Sequence, residues 1–104
     1  MELTLLWTDP AAEQFAERLD HIGGFNPEAA HRLRHRVDLS LRHLARYPEL
    51  GRWVPEFGPG FYREILVKPL RLLYEFQGDR IVVTCVHRQE EALGPDSFNL
   101  DTGS

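Results

Sequence analysis

A chain of 104 residues and 12.1 kDa is enough for one domain around one core. Its 42% hydrophobic and 27% charged residues exclude wholesale disorder and fibrous repeats, and a single cysteine, Cys85, excludes an intrachain disulfide framework. The net charge of −4 is segregated: residues 1–28 sum to −5, residues 29–88 to +5 and residues 89–104 to −4, and eleven of the twelve cationic side chains are arginine.

Leu3 to Trp7 is a short apolar run that reads as a strand. Asp9-Pro10 reads as a helix start, with Asp9 as cap and Pro10 at the first helical position. The helix is expected to run to about Ile22, with Phe15, Leu19 and Ile22 on one face, and to stop at Gly23-Gly24. Asn26-Pro27 repeats the cap-plus-proline device. The second helix runs to about Tyr47, with Ala30, Leu33, Val37, Leu41 and Leu44 as its apolar stripe and Arg32, Arg36, Arg42, His43 and Arg46 largely off it. A short connection makes the two helices an antiparallel hairpin.

Residues 48–60 hold three prolines and three glycines and read as a loop. Phe61–Val67 is a strand closed by a Lys68-Pro69 turn, and Leu70–Phe76 alternates as a second. Gln77-Gly78-Asp79 is a hairpin signal, and Arg80–His87 has buried-strand composition. The tail from Gln89 is polar, acidic and expected to be mobile. The order β-α-α-β-β-β predicts an α+β fold, an antiparallel sheet against an N-terminal helical hairpin. One domain over residues 1–88 is expected, followed by the tail, 89–104. No run nears the roughly 20 apolar residues of a membrane span, and Met1–Thr4 has neither a basic stretch nor a cleavage site. A soluble, cytoplasmic protein is therefore expected.

This order, with its motifs, resembles the RelE/ParE superfamily of toxins from type II toxin–antitoxin systems, and most of all its ParE or plasmid-stabilisation branch. The motifs are Trp7-Thr8-Asp9-Pro10-Ala11-Ala12, Asn26-Pro27-Glu28-Ala29-Ala30, Tyr47-Pro48-Glu49-Leu50-Gly51-Arg52, Gly60-Phe61-Tyr62-Arg63-Glu64, Arg71-Leu72-Leu73-Tyr74 and Val86-His87. The resemblance spans about residues 3–88. It implies a growth-inhibiting toxin neutralised by a cognate antitoxin in a hetero-oligomer. ParE-type members poison DNA gyrase, whereas RelE-type members cut mRNA on the ribosome.

Metal-free cleavage of RNA by 2′-OH attack needs a base, an acid and positive charge for the phosphorane. Glu56 could be the base, Arg63 and Arg71 the phosphate clamps and His87 the acid. Pro55-Glu56, Arg71 and His87 could match the positions used by a YoeB-like branch. Against that match, Arg88 follows His87 where that branch has tyrosine, and the only lysine, Lys68, sits in a turn. A pI of about 5.7 also disfavours ribosome binding. The competing reading is structural, with Arg63 pairing with an acid such as Glu75 and Arg71 with the acidic first helix.

The reading favoured is a ParE-like toxin that binds a protein target such as DNA gyrase. Arg32, Arg36, Arg42 and Arg46 would form its contact surface, with Trp53, a loop aromatic that could equally be buried. The alternative is a ribosome-dependent mRNA endonuclease using Glu56, Arg63, Arg71 and His87. No cofactor and no metal is expected: His31 and His35 have zinc spacing but no third ligand.

Overall fold

The structure, a computed structural model, describes residues 2–90. The tail's residues 91–104 lie outside the described residues. Five strands and two helices follow in the order β1 (Thr4–Trp7), α1 (Asp9–Phe25), α2 (Pro27–Arg46), β2 (Arg52–Trp53), β3 (Arg63–Val67), β4 (Leu70–Phe76) and β5 (Arg80–Arg88). The fold class is the expected α+β, with the helical hairpin on one face of the sheet.

The chain enters α1 one residue earlier than expected. Thr8, extended at the end of β1, is the N-cap: its hydroxyl accepts from the Ala11 N–H at 3.2 Å. Asp9 is the first helical residue instead of the cap. The glycine pair does not end the helix, which continues to Phe25. A Cβ added at Gly23 would lie 3.6 Å from the Ala30 Cβ, so this turn already lies close against α2. Packing there offsets the roughly 1 kcal/mol that each helical glycine costs. Asn26 alone joins the helices. Its backbone N–H donates to Ile22 O at 2.8 Å, closing α1, and its side chain accepts from the Ala29 N–H at 3.1 Å, opening α2.

The sheet order is β1-β5-β4-β3-β2. Three pairings are antiparallel, but β1 lies parallel to β5, Thr4 opposite Arg80 and Trp7 opposite Val83, so the sheet is mixed rather than wholly antiparallel. The loop expected over residues 48–60 contains β2, whose two residues pair with Arg63 and Glu64. A pairing partner supplied by β3 overrides the local glycines and prolines.

One core lies between sheet and helices. Leu33, Val37, Leu41 and Leu44 of α2 share it with Leu72, Tyr74, Ile81 and Val83, as their spacing predicts. A second, smaller core lies on the far face. There Val54, Leu73 and Cys85 are buried under the segment that follows β2, with Phe57 and Tyr62 against them. A bulge sets this division. Leu73 pairs with Cys85 but Tyr74 with Val83, so Thr84 is the extra residue. Val83 and Val86 thus face the helices while Cys85 faces away. Beside the bulge, the Gln14 side chain accepts from the Val86 N–H at 2.7 Å.

Candidate functional site

Alternation along β4 sends Leu70, Leu72 and Tyr74 to the helical core and Arg71 and Leu73 to the far face. Arg71 therefore emerges under the segment carrying Glu56. Val67 pairs with Leu70 across the Lys68-Pro69 turn, so Glu64 falls opposite Leu73 and diagonal to Arg71 on the same face.

These positions build a buried charge chain. The Arg71 Nη1 and Nη2 donate to the two carboxylate oxygens of Glu56 at 3.1 and 3.0 Å. Its Nε donates to Glu64 Oε1 at 2.7 Å, and Nη2 lies 2.7 Å from the same oxygen. The Arg52 Nε donates to Glu64 Oε2 at 2.7 Å. Glu64 and Arg71 are only 1% and 5% exposed, which makes this arrangement structural as well as polar. Hydrogen bonding to Glu56 raises the Arg71 pKa above its ordinary value, and Glu64 adds to this against the opposing effect of burial. Arg71 thus pairs with two carboxylates of its own face, Glu56 and Glu64, where the acidic first helix was expected.

Of the four proposed catalytic residues, three gather here. Glu56 is bound to Arg71, and His87 lies directly opposite Arg71 in the β4–β5 register. Arg63 does not join them. It precedes Glu64 on β3 and so leaves the sheet on the other face, where its Nη1 donates to Gly51 O at 2.8 Å and its guanidinium lies 4.0 Å from the Trp53 ring centre. It forms no ion pair with Glu75. Glu64 was missed as a site residue. The signal was present in the two-residue turn, which fixes the register that brings Glu64 diagonal to Arg71.

Next to Arg63, the Tyr74 hydroxyl donates to Pro48 O at 2.6 Å and accepts from the Gly51 N–H at 3.0 Å. A Cβ on Gly51 would fall 2.6 Å from Glu64 O and 2.7 Å from the Tyr74 ring, so only glycine lets this loop lie against β3. Burial raises the Tyr74 pKa above its ordinary 10.0, with Glu49 a smaller contribution; the Gly51 N–H and Arg63 act the other way.

The proposed contact residues are on the surface. Arg32, Arg36, Arg42 and Arg46 are exposed along α2, as are His31 and His35, and Trp53 is 40% exposed on β2. Among the described residues, no group of three metal-ligating side chains converges. No helix there is long and apolar enough to cross a membrane.

Comparison with known proteins places this geometry. A family model described as "ParE toxin of type II toxin-antitoxin system, parDE" matches residues 5–93. The chain is 32% identical over 78 residues to Toxin RelE2 of Caulobacter vibrioides, covering 75% of this chain and 84% of that one. A solved structure titled "Chromosomal ParDE TA system from P. aeruginosa" superposes with a TM-score of 0.70 over 86% of this chain and 98% of that one. At 23% identity that likeness speaks to the fold.

Proposed function

The chain belongs to the ParE toxin family of type II toxin–antitoxin systems, and from that premise we propose that it arrests growth by binding a protein target such as DNA gyrase, not by cutting RNA. A toxin of this family has an antitoxin as its partner. The observation that carries the proposal is the engagement of Arg71. A phosphorane clamp needs guanidinium N–H groups to be offered to a phosphate. Those of Arg71 are turned on Glu56 and Glu64 instead, and are already paired there. A substrate hydroxyl approaching Glu56 competes with two Arg71 hydrogen bonds. Arg63, the second clamp, serves the opposite face.

Two observations favour the endonuclease alternative. Glu56, Arg71 and His87 do share one face, and the Caulobacter vibrioides relative carries a RelE name. The two readings separate in one experiment. General acid and base groups contribute roughly 10²–10⁴-fold each to such a reaction. A Glu56→Ala/His87→Ala double variant, its folding checked by thermal melting, is expected to arrest growth on induction as the wild type does, with DNA supercoiling altered and translation intact. Loss of arrest in the folded variant, together with ribosome-dependent mRNA cuts by the wild type, would overturn the proposal.

A further inference from the structure

The segment from Val54 to Tyr62 lies over the far face of the sheet. The Val54 N–H donates to Tyr62 O at 2.9 Å and closes its base, and the Phe57 and Gly58 N–H groups donate to Val54 O at 3.1 Å, so it is folded upon itself. Gly58 and Gly60 make its bend, with φ of 75° and 98°, values that glycine adopts without strain. Among the described residues, a Cβ added at either glycine would meet nothing within 4 Å, so the bend stands clear of its surroundings. Val54 alone is buried in this segment, while Pro55, Glu56, Pro59, Gly60 and Phe61 are exposed.

Two features make this segment easier to lift than any other part of the fold. The first is the size of what it covers. Among the described residues, the second core has three buried side chains against twelve in the main core, so lifting the segment exposes far less apolar surface than unfolding the chain. The second is an asymmetry in the charge chain. The Glu64 side chain, on β3, has no exposure to water and accepts from Arg71 Nε at 2.7 Å. The Glu56 side chain, on the segment, is 30% exposed and meets the outer Arg71 nitrogens at 3.0 and 3.1 Å. Water can replace Arg71 around Glu56 but not around Glu64, so the arginine stays with the sheet when the segment leaves.

We propose that residues 54–62 are a lid that opens as a unit while the helical core stays folded, and that the Glu56–Arg71 ion pair is its latch. Closed, the lid covers Leu73 and Cys85 and holds the Arg71 guanidinium on Glu56. Open, it presents Arg71, Leu73 and Cys85 together on the far face, a cationic and apolar surface that the closed form conceals. The strength of the latch sets how often that surface is offered. Opening is independent of which target the toxin binds, so it holds or fails separately from the reading above.

Cys85, the chain's single cysteine, lies under the lid and reports on it, because a buried thiol reacts only while it is uncovered. The test follows labelling of the full chain by excess N-ethylmaleimide, in water and in low urea, for the wild type, Glu56→Gln and Leu41→Ala, each checked by thermal melting. Glu56→Gln keeps the side chain's size and removes its charge, and is expected to speed labelling roughly tenfold or more. Leu41→Ala, in the main core, should lower the melting temperature and leave labelling in water nearly unchanged. Wild-type labelling should vary little with low urea, since a small opening exposes little surface. Labelling that climbs with urea along the global unfolding curve, and follows melting temperature in both variants, overturns the proposal, because Cys85 is then reached only by unfolding of the whole chain. A Glu56→Gln rate equal to that of the wild type overturns the latch. Hydrogen exchange of the wild type gives a reading that needs no variant: the Val54 amide is expected to exchange faster than the amides of β4, and equal protection overturns the lid.

Discussion

Arg71, Glu64 and Tyr74 show how a few buried polar side chains are made tolerable. A charge removed from water is destabilising unless paired, and breaking one partner of such a pair costs more than the pair contributes. Glu64 is 1% exposed and holds Arg71 and Arg52 through separate oxygens. Glu64→Ala is expected to cost about 3–5 kcal/mol in chemical denaturation. Arg52→Ala, whose side chain is 59% exposed, should cost about 1 kcal/mol or less. Equal costs would show that burial is not the deciding factor. Tyr74 adds a pH signature. Its pKa is raised in the fold, so below the ordinary 10.0 both folded and unfolded chains keep the proton and the contribution is complete. As pH rises past that value, the unfolded chain ionises first and stability falls until the folded Tyr74 ionises too. Tyr74→Phe should cost about 1–3 kcal/mol at neutral pH, because the Gly51 N–H and Pro48 C=O lose their partner. The same variant should lose less stability above pH 10.0 than the wild type does, measured as melting temperature against pH. Part of the alkaline loss will remain, since burial also raises Tyr62.

The α2 helix has the opposite duties on its two sides. Leu33, Val37, Leu41 and Leu44 form the stripe that closes the main core, while its arginines are left in water. Leu41 is 3% exposed, and truncation to alanine removes methylenes from a packed site without filling it. Leu41→Ala should destabilise by about 2–5 kcal/mol, seen as a lowered melting temperature. A melt matching the wild type would mean that the neighbouring side chains collapse into the space. The strands divide their labour too. The β4–β5 pair serves both cores at once, and the bulge at Thr84 is what lets Cys85 and Val86, adjacent in sequence, enter different ones.

Across the molecule, charge is distributed unevenly, with Arg32, Arg36, Arg42 and Arg46 exposed along one helix of a small domain. Steering by such fields acts on association rates and is screened by salt. Binding of the antitoxin is expected to slow in association as salt rises, with dissociation changed much less, in stopped-flow or surface-binding kinetics. An association rate flat from low to high salt would remove the electrostatic contribution.

Much of this protein could be read from the chain alone. Helix spacing, the Asn26-Pro27 cap, the Gln77-Gly78-Asp79 turn and strand composition and alternation are local rules, and they located both helices, four of the five strands and most of the main core. Glu56, Arg71 and His87 were legible as a set because motifs preserve residue types. What the chain alone left open depends on partners far away in sequence. The parallel pairing of β1 with β5 joins residues more than seventy apart with no turn to announce it. The two-residue β2 exists only because β3 lies beside it, and α1 runs through two glycines because α2 supports that turn. The fate of the arginines was also settled in three dimensions. Arg63 and Arg71 looked equivalent as residues of successive strands, but opposite faces of the sheet gave one a tryptophan ring and the other two carboxylates. Side-chain chemistry is carried by the residue, whereas the charge it meets is set by which distant elements fold against it.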